Sequence, residues 1–100
     1  MELEKYIYQI KDLCIQHKVK DLAVFGSVLT AGNFSESSDV DFIVDILSED
    51  PLEYAENYFN LKFKLEKLFN KSVDLLEKRA LKNKHFLEQV NKNKKVIYEI

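Results

Sequence analysis

The stretch "DVDFIVDIL", residues 39–47, alternates strictly. Val40, Phe42, Val44 and Ile46 fall on one face. Asp39, Asp41, Ile43 and Asp45 fall on the other. A period of two with this contrast predicts a strand that has a core face and a water-facing one. Aspartate is a poor strand residue, so two of them flanking one valine require a reason. Residues i and i+2 of a strand project to the same side, with alpha carbons roughly 6.5 Å apart. Asp39 and Asp41 can therefore aim both carboxylates at one point. Two bare carboxylates that close repel each other and push one toward protonation. A hard divalent cation such as Mg2+ removes the conflict, because it takes one or two protein carboxylates and completes its shell with water and phosphate oxygens.

Upstream, "DLAVFG" (21–26) is a short apolar run that ends in glycine and predicts a buried strand. "SVLTA" (27–31) predicts a brief helix stopped by Gly32-Asn33, and "NFSESS" (33–38) a loop. A strand that ends in glycine and opens a helix leaves backbone N–H groups and the positive helix end free for a phosphate. Gly26 permits close approach, and the Ser27 hydroxyl adds a donor. Residues 2–17 carry Leu3, Ile7, Ile10, Cys14 and His17 at helical spacing, so an amphipathic helix is expected first.

Downstream, Asp50 is a helix N-cap, Pro51 suits the first helical position and Glu53 completes a capping-box pattern. This helix is expected to run to about Asn70. Tyr54, Tyr58, Leu61, Leu65 and Leu68 form one apolar stripe, and Leu52, Ala55, Phe59 and Phe63 an adjacent one. The combined stripe is wide for a helix packed on one sheet. It fits either a second protein surface or deep burial of a central helix. "SVDLL" (72–76) predicts a third strand, with Val73 and Leu75 pointing one way and Asp74 the other. Residues 81–93 predict a last helix, and "KVIYEI" (95–100) either a terminal strand or an extended tail. The expected fold class is α/β (α+β): a mixed sheet with helices packed mainly on one face.

If the strand of Asp74 neighbours residues 39–47, three carboxylates converge. Such a set can hold two metal ions about 4 Å apart, the arrangement used for in-line displacement at phosphorus. Asp45 lies roughly 13 Å along the strand from Asp41 and reads as a solvated residue. An isolated Asp-x-Asp or Gly-Ser is common in surface strands and turns. The joint order carries the signal: strand, Gly-Ser, short helix, loop, Asp-x-Asp strand, long helix, strand with Asp.

The chain has 100 residues, 46% of them hydrophobic, which suits one domain spanning 1–100 with a true core. Fifteen basic and seventeen acidic residues argue against a nucleic-acid coat. The single cysteine, Cys14, forms no internal disulfide. No signal-peptide pattern and no apolar run near membrane-spanning length are visible, so a cytoplasmic protein without membrane association is expected. His17 and His85 lack partners at ligand spacing and read as core-edge and surface residues.

With these residues in view, the chain resembles the DNA polymerase β-like nucleotidyltransferases, and within them the minimal nucleotidyltransferase (MNT-type) proteins. The likeness rests on Gly26, Ser27, Asp39 and Asp41, on "SVDLL" with Asp74, and on the terminal "KKVIYEI". Two departures stand out. Eleven residues, Val28 to Ser38, separate Gly-Ser from Asp-x-Asp where about ten are usual, and "VLTAGN" lacks the arginine often found there. The resemblance implies a polymerase β-like fold and Mg2+-dependent transfer of AMP from ATP to an acceptor hydroxyl. Asp39 and Asp41 would bind two Mg2+ ions. Asp74 would bind the ion that activates the acceptor, and Gly26 and Ser27 would hold the phosphates. It further implies an antitoxin of a type VII-like toxin–antitoxin pair, whose partner is a HEPN-type toxin adenylylated on a tyrosine. Two alternatives accompany it: a small-molecule, aminoglycoside-like nucleotidyltransferase working as a homodimer, and a catalytically inactive toxin-binding antitoxin.

Overall fold

A computed structural model describes residues 3–25 and 40–100. The chain opens with a 3-10 turn, Leu3–Tyr6, that leads into α1 (Ile7–Gln16). The expected helix over 2–17 is thus present, with a tighter first turn. Its far end is closed by His17, a buried residue whose Nδ1–H donates to the Leu13 carbonyl at 2.7 Å. Lys18 follows with φ 56°, a left-handed conformation that turns the chain straight back. Strand β1 (Val19–Phe25) therefore starts two residues earlier than the apolar run alone suggests.

β2 (Val40–Ile46) matches the alternation closely. α2 (Pro51–Phe69) begins where Asp50 Oδ1 accepts the Leu52 N–H at 2.9 Å and ends at Asn70, φ 53°. Glu53 does not close a reciprocal capping box among these contacts; its carboxylate is ion-paired with Lys18. β3 (Val73–Glu77) and a 3-10 turn, Lys78–Ala80, follow. α3 (Lys84–Asn93) starts later than residue 81 because Asn83 caps it, accepting the Phe86 N–H at 3.1 Å. The open question at the terminus resolves as a strand: β4 (Lys95–Glu99) pairs antiparallel with β1. The segments 27–31 and 33–38, expected as a short helix and a loop, lie outside the described residues.

The sheet order is β3-β2-β1-β4. β1 pairs antiparallel with β2, and β2 pairs parallel with β3, so the sheet is mixed. The parallel step fits the connection, because α2 supplies the crossover that two parallel neighbours require. On one face, Leu22, Val24, Val40, Phe42, Val44, Ile46, Val73 and Leu75 meet Ile10 and Cys14 of α1 and Leu61, Leu65 and Phe69 of α2. Phe42 stacks on Phe69 with centroids 6.0 Å apart. Full burial of a side chain of this size is worth about 1.5–3 kcal/mol, so this layer dominates stability.

The helices α1 and α2 share that face, as expected. α3 packs on the other. Its Val90 is buried against Ala23 and Ile43, with Phe25 and Leu81 alongside. The apolar Ile43 in an otherwise acidic row was the sequence signal for this cover. The face expected to be wet is therefore dry in its middle and polar at its two ends.

Candidate active site

On the α3 face, each end of the sheet carries acidic residues, and the two ends differ. At one end Asp21 of β1 is the register partner of Asp45 of β2. Like charges opposed across strands are unfavourable, and here both are matched by cations from the turn after β3. Lys78 Nζ lies 3.3 Å from Asp21 Oδ2, and Arg79 Nη2 lies 3.1 Å from Asp45 Oδ1. Arg79 also donates to the Ile46 carbonyl at 2.6 Å and sits over the Tyr54 ring, 4.6 Å from its centroid. Asp45 is thus a half-buried, ion-paired residue rather than a merely solvated one. Sequence spacing could not show this, because Arg79 reaches it from 34 residues away.

The other end carries the residues singled out for chemistry. Asp41 of β2 and Asp74 of β3 are direct register partners in the parallel ladder. Neighbouring strands run about 4.8 Å apart, and register partners share a face. The two carboxylates therefore stand side by side, Asp41 half-buried and Asp74 exposed. The order of elements produces this. Val40 and Phe42 are drawn into the core, which turns Asp41 outward, and Val73 and Leu75 do the same for Asp74. Across β2 from Asp74, β1 ends at Phe25, directly opposite Asp41. Phe25 is held by α3 through an edge-to-face contact with Phe86, centroids 6.4 Å apart.

Of the five predicted site residues, Asp41 and Asp74 are brought together. Gly26, Ser27 and Asp39 lie outside the described residues, adjoining Phe25 and Val40 in sequence. Among the described residues no group of three acidic, histidine or cysteine side chains is assembled to hold a metal. The pair itself fits a hard divalent cation, with two carboxylates in register on one face as oxygen donors.

Other titratable groups are accounted for by packing. Burial pushes the Cys14 thiol up to about 12, which makes it unreactive. Burial, aided by the Glu77 carboxylate and partly opposed by Arg79, pushes the Tyr54 phenol up to about 12. Tyr58 is raised as well, by burial first and then by the Glu77 and Asp74 carboxylates. Its hydroxyl donates to the Leu75 carbonyl, one residue from Asp74. His85 is exposed and lines a groove along α3 with Glu88, Gln89, Asn91 and Lys92.

The family model described as polymerase beta, nucleotidyltransferase, matches residues 8–100. A protein of Methanocaldococcus jannaschii named as a candidate protein adenylyltransferase is 31% identical over 91 residues, covering 91% of this chain and 86% of its own length. A solved structure of a candidate minimal nucleotidyltransferase superposes with a TM-score of 0.76 at 31% identity, covering 95% of both chains. Two further structures share the fold at lower identity. One is a toxin–antitoxin complex with AMP-PNP, with a TM-score of 0.70, 22% identity and coverage of 94% of this chain and 73% of that one. The other is a tri-AMPylated Shewanella oneidensis HEPN toxin in complex with its MNT antitoxin, with a TM-score of 0.67, 20% identity and coverage of 97% and 72%.

Proposed function

This chain belongs to the polymerase beta nucleotidyltransferase family and is a nucleotidyltransferase, and from that premise we propose that it transfers AMP from ATP to a tyrosine hydroxyl of a HEPN-type toxin, acting as the antitoxin of the pair. The observation that carries the reading is the register pairing of Asp41 with Asp74. The AMP-bearing toxin in the Shewanella oneidensis complex supports the acceptor, and the AMP-PNP complex supports the nucleotide.

In this mechanism Asp39, Asp41 and Asp74 would hold two Mg2+ ions, which would supply charge neutralisation on the triphosphate and on the attacking oxygen. Gly26 and Ser27 hold the β- and γ-phosphates by backbone N–H groups and a hydroxyl. The acceptor oxygen forms a bond to the α-phosphorus as the bond to the bridging oxygen breaks, and pyrophosphate leaves. Asp74, the more exposed carboxylate, takes the acceptor proton. α3 packs over the middle of the same face through Val90 and reaches Phe25, opposite Asp41, through Phe86. No described helix is long and apolar enough to cross a membrane, and we place the enzyme in the cytoplasm with its partner.

The test is to incubate the protein with its HEPN-type partner, ATP and Mg2+ and to weigh the partner intact. The expected result is a mass gain of one or more AMP groups, abolished by Asp41→Asn. An unmodified partner, or undiminished transfer by Asp41→Asn, would refute the proposal.

A further inference from the structure

α2 turns its two apolar stripes in different directions. Leu61, Leu65 and Phe69 are buried in the core, whereas Leu52, Phe59 and Phe63 are 78%, 51% and 60% exposed. Phe59 and Phe63 stack with centroids 6.4 Å apart, and Tyr58 meets Phe59 edge-on at 5.1 Å. A row of aromatic side chains this open to water marks a surface that another molecule covers.

The charges along the same stripe identify that molecule. Residues 52, 56, 59, 63 and 67 fall within about 80° of one another around a helix. Glu56 lies one turn before Phe59, and Lys67 one turn after Phe63. Both are exposed, and neither is ion-paired with another described residue. They stand at nearly equal distances, on opposite sides, from the midpoint of the two phenylalanines. An antiparallel two-fold pairing of two such helices thus packs four phenylalanines at the centre and sets Glu56 of each copy against Lys67 of the other. Self-complementarity of this kind is the requirement for an isologous contact.

We infer that the outer face of α2 is a homodimer interface, formed by Leu52, Phe59 and Phe63 and registered by reciprocal Glu56–Lys67 pairs. α2 and the Asp41–Asp74 pair occupy opposite faces of the sheet, so dimerisation leaves both acidic platforms facing outward. The inference is independent of the transfer chemistry, and its test needs neither nucleotide nor partner.

Sedimentation equilibrium from micromolar to submillimolar concentration measures it. Wild type is expected to form a dimer. Glu56→Lys and Lys67→Glu each place like charges at both ends and are expected to weaken the dimer about tenfold at low salt. An equimolar mixture of these two variants re-creates opposite charges at both ends and is expected to recover near wild-type association. Phe59→Ser/Phe63→Ser is expected to weaken the dimer at least about a hundredfold, with its circular dichroism unchanged because both rings are exposed. A wild type monomeric at submillimolar concentration would overturn the inference, as would a mixture that associates no better than its components.

Discussion

At the scale of single residues, the proposed role of Asp74 in transfer separates function from stability. Its side chain is exposed, and substitutions at exposed positions seldom change stability much. Asp74→Asn is therefore expected to leave metal-free stability within about 0.5 kcal/mol of wild type while removing transfer activity; a calorimetric scan alongside the mass assay checks both. Arg79 has the opposite character. It bridges Asp45 and the Ile46 carbonyl and covers Tyr54. Arg79→Ala is expected to cost about 1–2 kcal/mol, mostly from the lost carbonyl bond and ring contact rather than the exposed ion pair, measured by urea denaturation. Cys14 gives a pH signature. Its thiol ionises near 9.0 when unfolded and is held to about 12 by burial in the fold. Between these values the unfolded chain releases a proton that the folded chain keeps, so stability is unaffected below that window and falls as pH rises through it, by up to about 4 kcal/mol. Denaturation at about pH 8 and about pH 10 is expected to show this fall, and Cys14→Ala is expected to flatten it.

At the scale of elements, the termini of α2 are the most exposed to single changes. Asp50 satisfies an otherwise orphaned N–H, and Asn70 closes the helix in the left-handed region. Asp50→Ala and Asn70→Ala are each expected to cost about 1 kcal/mol, and Asn70→Gly close to nothing; melting temperatures check all three. The N-cap was legible in the sequence as Asp-Pro, and the helix end near Asn70 was expected, but the left-handed cap at Asn70 emerged only in the structure. β2 was legible too, because its period of two leaves no helical reading. Less legible were the junctions where tertiary contacts set the boundary. Val19 and Lys20 join β1 because Lys18 reverses the chain without a linker. Residues 81–83 stay outside α3 because Asn83 caps it. The placement of α3 opposite α1 and α2 was implied only by Ile43, one apolar residue in a row otherwise read as solvent-facing.

At the scale of the whole molecule, the candidate site exists because topology converts local parity into a meeting of distant residues. Asp41 and Asp74 are 33 positions apart in sequence, and either one alone is an ordinary outward-facing strand residue. Parity assigned each to its face, but it could not establish that β3 lies beside β2 in register. That pairing follows from the crossover through α2, and the long buried stripe of α2 drives it. The neutralised acids at the far end, Asp21 and Asp45, were hidden from sequence for the same reason, since Lys78 and Arg79 reach them only after the sheet has formed. The most direct test of the account is a calorimetric titration of Mn2+ into the protein in the presence of a non-hydrolysable ATP analogue. The account predicts saturable binding by wild type and at least a tenfold loss of affinity in both Asp41→Asn and Asp74→Asn, with the fold intact. Binding by Asp74→Asn as tight as that of wild type would contradict it.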